Sequence, residues 1–278
     1  MTEKTWLITG VSSGFGLEMT KALLSRGDIV VGTVRNPGTV ADLRAQYPTA
    51  FDCRVLDVRD RAAVQQTVKD AFEKHGRIDV VVSNAGYGLF GAAEELSDAE
   101  VEDIVATNLM GSIHLIRAAL PYLRKQKGGR IIQMSTYGGM VAYPGNSMYH
   151  ATKWGIEGFA ESVAQEAAPF GIGVTIVEPG GARTDFRYRS AKVAELKPEY
   201  DGNPAHAFLR RLDKKNGLAP GNPALMAERI IESADINPAP LRMVLGSQAL
   251  SATIDALEKR LADFRSQTEL AASTDYRN

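Results

Sequence analysis

Short apolar, β-branched runs alternating with longer segments of helical period constrain this chain more than any other feature. Trp6–Thr9, Ile29–Val34, Arg54–Leu56, Ile78–Val82, Arg130–Met134, Val174–Val177 and Leu241–Leu245 read as strands, most of them apolar on both faces. Strands buried on both faces need helices on two sides, and helices between successive strands make the strands parallel. One helix begins near Gly14 and stops at Arg26-Gly27, where glycine is a C-cap. Another carries Val64, Val68 and Phe72 at intervals of four, and a third opens with the capping box Ser97-Asp98-Ala99-Glu100. The pattern predicts a single doubly wound α/β domain over residues 1–278, with a mainly seven-stranded parallel sheet and helices on both faces.

Composition removes several alternatives. The 278 residues carry 32 basic and 33 acidic side chains, a formal net charge of -1, so no nucleic-acid or membrane partner is expected. A single cysteine, Cys53, excludes an intrachain disulfide, and His75, His114, His150 and His206 are too dispersed for a metal site. No run approaches 18 apolar residues and the first ten lack a signal-length apolar core, so a cytoplasmic setting is expected.

Two segments depart from the alternation. Residues 185–222 hold Pro198, Pro204 and Pro220 with Phe186, Tyr188, Tyr200, Phe208 and Leu209. A connection this long is either a binding element or disordered, and it is taken as a substrate lid. The polar tail, at about 265–278, is expected to pack on the surface or on a neighbouring subunit.

Directly after the first strand stands Thr9-Gly10-Val11-Ser12-Ser13-Gly14-Phe15-Gly16, and a helix follows. Glycines admit a pyrophosphate close to the backbone, and a helix N-terminus supplies free N–H groups and positive dipole. The spacing is G-x-x-x-G-x-G rather than G-x-G-x-x-G, and the same residues would also make a tight strand–helix junction. The preceding strand favours phosphate binding by Gly10, Ser12, Ser13, Gly14, Phe15 and Gly16. The second strand ends Thr33-Val34-Arg35, with no carboxylate for the ribose hydroxyls of NAD. Arg35 is either a solvated surface charge or a partner for a 2′-phosphate, which favours NADP(H) and leaves NAD(H) open.

Tyr149 and Lys153 lie four apart on one helical face that continues through Ile156, Ala160 and Val163. A lysine on a buried stripe needs a partner or a task; it is either a snorkelling side chain beside a core tyrosine or an ammonium that favours the phenolate. Asn108 falls on the stripe Val101, Ile104, Val105, Asn108, Ser112, where apolar packing is expected. Ser83-Asn84-Ala85-Gly86, Met134-Ser135-Thr136-Tyr137-Gly138-Gly139 and Pro179-Gly180-Gly181-Ala182-Arg183-Thr184 end the fourth, fifth and sixth strands. Eight glycines thus fall at carboxyl ends of strands, where ligands sit in such folds.

In combination, the Thr9–Gly16 loop, Asp57-Val58, Asn84-Ala85-Gly86, Asn108, Tyr149-x-x-x-Lys153 and Pro179-Gly180 resemble the classical short-chain dehydrogenase/reductase family. The likeness runs from Thr9 to at least Gly246, and the bacterial relatives of the retinol and hydroxysteroid dehydrogenases are the most similar branch. It implies a Rossmann-type fold, a homodimer or homotetramer, and NADP(H)-dependent interconversion of a carbonyl substrate and an alcohol. By that resemblance Asp57 and Val58 hold the adenine, and Asn84, Ala85 and Gly86 line the adenosine side. Tyr149 is the acid and base, Lys153 holds the nicotinamide ribose, and Asn108 anchors a water in a proton relay. Pro179, Gly180, Ala182 and Thr184 border the carboxamide.

The substrate-polarising serine of the family stands 13 residues before the tyrosine, which here is Thr136. Ser135, one residue away on a strand end, points oppositely. Tyr143, Met140, Met148 and the lid aromatics suggest an apolar or aromatic substrate. The rival from another class is a non-catalytic NADP-binding sensor or scaffold, against which stand the intact Tyr149 and Lys153.

Overall fold

In the computed structural model, which describes residues 3–184, 190–214 and 218–276, alternation does become a parallel sheet. The strands are β1 (Thr5–Thr9), β2 (Ile29–Val34), β3 (Phe51–Val55), β4 (Val80–Ser83), β5 (Gly88–Phe90), β6 (Gly129–Met134), β7 (Ile172–Pro179), β8 (Ala191–Val193) and β9 (Arg242–Leu245). The helices are α1 (Gly14–Ser25), α2 (Ala41–Gln46), α3 (Arg61–His75), α4 (Asp98–Ile104), α5 (Gly111–Lys125), α6 (Ser147–Ala167), α7 (Pro204–Lys214), α8 (Pro223–Ser233), α9 (Ser247–Arg265) and α10 (Thr268–Ala272). Seven strands pair in the order β3-β2-β1-β4-β6-β7-β9, all in parallel. The order reverses between β1 and β4, which opens a crevice at their carboxyl ends.

The two-residue period of the strands sorts side chains onto two cores. Leu7, Val31, Val81 and Ile131 pack with Val68 and Phe72 of α3, Leu115 and Ile116 of α5, and Ala160 and Val163 of α6. Trp6, Ile8, Val30, Val82 and Ile132 pack on the other face with Met19 and Leu23 of α1 and Ile230 and Ile231 of α8. The continuous helical stretch Asp98–Lys125 is 28 residues long and apolar enough, by length and composition, to cross a membrane. In this fold its Ile104, Leu115, Ile116, Ala119 and Leu123 are buried.

Several expectations need correction. The third strand starts at Phe51, not Arg54, because an edge strand tolerates charge: Asp52 accepts two hydrogen bonds from Arg54 at 2.8 Å and pairs with Lys74 and His75. Leu56 lies just beyond it, buried. The helix expected through Asn108 is interrupted by a π-helical turn at Val105–Met110. The 185–222 connection carries structure of its own, for β8 pairs with β5 in a second small parallel sheet and α7 follows. Phe186 and Tyr188 lie outside the described residues. The tail residues 265–276 are exposed and include the short helix α10.

Candidate active site

The crevice at the β1/β4 reversal is floored by the loop from Gly10 to Gly16. The Asn84 side-chain amide donates to the carbonyls of Thr9 at 2.8 Å and Gly10 at 3.1 Å. The Asn84 backbone N–H donates to Thr9 Oγ1 at 3.0 Å, so β4 is tied to the loop. Gly16 sits where a Cβ would collide with the Gly10 carbonyl and the Asn84 amide. Asn84 therefore shapes the loop.

A cavity of about 560 Å³ follows from this loop, lined by Gly10, Ser12, Ser13, Arg35, Asp57, Val58, Asn84, Ala85 and Gly86. Arg35 is exposed at its rim. Asp57 is held below the usual carboxylate range by hydrogen bonds from Arg59, which also bridges to Asp103 at 2.5 Å. Lys192 and Ser190 reach the same cavity from the 185–222 connection.

A second cavity, of about 240 Å³, shares Asn84, Gly86 and Tyr87 with the first and continues it toward β6 and β7. It is lined by Gly14, Phe15, Thr136, Tyr149, Lys153, Pro179, Gly180, Ala182 and Thr184. Residues separated by over a hundred positions in sequence thus border one cleft. Gly180 has already committed its N–H to the Leu245 carbonyl at 2.8 Å.

Thr136 and Ser135 part company here. Thr136 Oγ1 donates to the Pro179 carbonyl at 3.3 Å, accepts from the Gly138 N–H at 3.3 Å and is hydrogen-bonded to Tyr149. Ser135, which also lines this cavity, is buried and turns its hydroxyl to Glu157, to which it donates.

Lys153 is buried, donates from Nζ to the Met134 carbonyl at 3.1 Å, and stands 5.8 Å from the centre of the Tyr149 ring. Burial pushes its ammonium down to about 8, against the pull of Glu157. Burial pushes the Tyr149 phenol up, and the Thr136 hydrogen bond opposes it only in part.

The π turn aims the Asn108 carboxamide at the backbone of Tyr87, accepting from its N–H at 2.9 Å and donating to its carbonyl at 2.7 Å. π turns inside helices are frequent at functional sites. The Asn108 carbonyl accepts from Ser112 Oγ at 3.0 Å.

Sequence reasoning passed over several groups at this site. Phe90, Tyr137 and His150 line the second cavity with Tyr143 and Phe208, and Phe208 of α7 stacks on Tyr143 at 6.1 Å. Glu157 was missed although it lies four residues beyond Lys153, the spacing that had picked out Tyr149 and Lys153.

Comparison with known proteins identifies the family. The profile of the family described as short chain dehydrogenase matches residues 4–194. Oxidoreductase BOA17 of Botryotinia fuckeliana is 38% identical over 98% of this chain and 99% of its own. The 3-ketodihydrosphingosine reductase of Bacteroides thetaiotaomicron is 36% identical over 77% of this chain and 78% of its own. The crystal structure of a short-chain dehydrogenase from Streptomyces avermitilis superposes with a TM-score of 0.92 at 36% identity, covering 99% of this chain and 100% of that one. A serine dehydrogenase solved in complex with NADP+ shares the fold at a TM-score of 0.73 and 25% identity, over 86% of this chain and 94% of that one. The chain belongs to the short-chain dehydrogenase family, and it is an oxidoreductase.

Proposed function

We propose that this oxidoreductase interconverts a carbonyl compound and its alcohol with NADP(H), using Tyr149 as acid and base. The observation that carries the reading is the meeting of Tyr149, Thr136 and Lys153 on one wall of the cleft at the β1/β4 reversal. The cleft suits a dinucleotide: the Gly10–Gly16 loop has no room for a further Cβ at Gly16, and α1 begins there. Arg35 supplies the cation for a 2′-phosphate, with Asp57 and Val58 beside the adenine and Asn84, Ala85 and Gly86 along the adenosine. Ala182 and Thr184 border the carboxamide, since the Gly180 N–H is already engaged.

When bound, NADP(H) supplies or accepts hydride at the carbon bearing the reacting oxygen. Thr136 Oγ1 orients that oxygen, and the Tyr149 hydroxyl protonates the developing alkoxide in reduction and takes the proton back in oxidation. Lys153 spends one N–H on the Met134 carbonyl and keeps two for ribose hydroxyls. Asn108 fixes the backbone of Tyr87, which lines the cleft, and in this reading anchors the water of the proton relay.

Phe90, Tyr137, Tyr143 and Phe208 favour an apolar or aromatic substrate, and a relative named as a reductase of a 3-keto compound is in keeping with ketone reduction. In this reading residues 1–278 form one domain, the 185–222 connection is a substrate lid, and the subunit assembles as a homodimer or homotetramer. NADPH consumption across a panel of aldehydes and ketones tests the activity. Tyr149→Phe is expected to bind NADPH nearly as well as the wild type and to lose turnover; full turnover in that variant refutes the scheme. Tight NADPH binding with no turnover on any carbonyl would favour a sensor instead.

A further inference from the structure

Tyr149, Lys153 and Glu157 stand at intervals of four on α6, so the face carrying the phenol and the ammonium also carries a carboxylate one turn further on. Glu157 is 2% exposed, and no step of the proposed reaction uses it. It is nonetheless held from three sides. Ser135 Oγ donates to its Oε1, Arg242 Nη1 of β9 donates to its Oε2 at 2.7 Å, and Gly139 lies against it so closely that a Cβ there would overlap the carboxylate.

Arg242 also donates to Glu161 Oε1 from Nε at 3.0 Å and from Nη2 at 2.8 Å, and to Glu178 of β7 from Nη1. Three carboxylates therefore face one guanidinium. Burial moves Glu178 toward its protonated form, while Glu157 is the charge that sustains the Lys153 ammonium against burial. The groups around Glu157 are Lys153 and Glu161 from α6, Glu178 from β7, Arg242 from β9, and Arg260 of α9, which donates to the Met140 carbonyl just beyond Gly139.

A buried carboxylate that served packing alone would cost more than an apolar side chain of its size. Glu157 instead joins two neighbours of the reacting atoms, the strand end that continues into Thr136 and the helix turn that presents Lys153. We propose that Glu157 is a positioning residue for the reaction, locking Ser135 and the Gly138–Gly139 turn onto α6 and setting a fixed negative charge beside Lys153. The inference rests on the reading of Tyr149 and Lys153 given above, and it adds the group that keeps Lys153 charged.

The test follows carbonyl reduction and NADPH affinity from neutral to alkaline pH in the wild type, Glu157→Gln, Glu157→Asp and Glu161→Gln, with thermal melts as the folding control. Glutamine keeps an acceptor for Ser135 and removes the charge. Without that charge the Lys153 ammonium is lost earlier, so the alkaline fall in both turnover and NADPH affinity should move down by about one pH unit. Glu157→Asp keeps a charge one methylene further back and should shift the fall less, in the same direction. Glu161→Gln should leave it in place.

A merely structural role lowers the melting temperature or the active fraction at every pH and leaves the alkaline fall unmoved in both Glu157 variants, which overturns the proposal. Should Glu157→Gln not fold, Glu157→Asp decides by the same criterion. Wild-type protein that turns over no carbonyl would sink the reading of the site, and the NADPH-affinity profile would still decide for or against Glu157.

Discussion

His206 of α7 and Glu95, in the turn after β5, meet in the interior: Nε2 and Oε1 are 2.7 Å apart and both side chains are almost wholly buried. Glu95 also accepts from the backbone N–H groups of Lys197 at 2.7 Å and Ala92 at 2.6 Å. One carboxylate thus pins the 190–214 segment to the rest of the molecule at two points. The contact raises His206 above its ordinary 6.5, chiefly through Glu95, and Asp201 adds to it. Glu95 lies below its ordinary value: burial works against its charge, but the hydrogen bonds from Lys197, His206 and Ala92 outweigh it.

The sign follows from these directions. A group whose folded pKa is raised contributes stability that is complete below its unfolded value and fades as pH rises through the folded one. The His206 contribution is therefore full below about 6.5 and fades on the alkaline side of that value. Hydrogen exchange in residues 195–210 should accelerate selectively as pH climbs from 6 to 9, after correction for intrinsic exchange. In His206→Ala that pH dependence should vanish. Uniform behaviour in the wild type, with no pH-dependent loosening of this segment, would contradict the assignment.

Ser135 and Thr136 give a second prediction, because adjacent residues at a strand end point to opposite sides. Thr136→Val removes the hydroxyl beside Tyr149 and should lower kcat by about a hundredfold or more while NADPH affinity changes little. Ser135→Ala leaves one buried Glu157 oxygen without its hydroxyl partner. Its main effect should be on stability, about 1–3 kcal/mol in a denaturant titration. Kinetics of the two variants in which Ser135→Ala is the inactive one would reverse the register.

How much of this was legible beforehand follows from which residues act locally. The sheet was, because apolar runs of β2, β4, β6 and β7 have no other use for two hydrophobic faces. Tyr149 and Lys153 were, since helical spacing alone sets them on one face. The start of β3 was not, because Asp52 and Arg54 satisfy each other across an edge strand, a pairing that alternation cannot signal. The π turn at Asn108 was hidden because it changes hydrogen-bond register without changing composition. The second task of Asn84 was hidden: it lines both cavities, and its amide also holds the Thr9 and Gly10 carbonyls, a tertiary fact spanning over seventy residues.

Gly16 supplies a stringent test of the loop. Its missing side chain is what lets the Gly10 carbonyl and the Asn84 amide close over the start of α1. Gly16→Ala must push these apart, an overpacking cost of about 1–3 kcal/mol in stability. NADPH affinity, measured by fluorescence titration, should fall about tenfold or more, since the same loop is the proposed pyrophosphate seat. Unchanged affinity in a stable Gly16→Ala protein would place the pyrophosphate elsewhere.

Arg35 decides the cofactor. It follows the last residue of β2, is exposed, and lines the larger cavity together with Asp57 and Val58. A guanidinium there gains a charge-assisted hydrogen bond only when a 2′-phosphate is present, so its contribution should appear with NADPH and be absent with NADH. An exposed pair of this kind adds about 1–2 kcal/mol, which is about five- to thirtyfold in affinity. Arg35→Ala should therefore weaken NADPH binding by that factor and leave NADH within about twofold, and the NADPH preference should shrink further as salt is raised. Equal dissociation constants for the two cofactors in the wild type, or a parallel loss of both in Arg35→Ala, would show Arg35 to be an ordinary solvated charge.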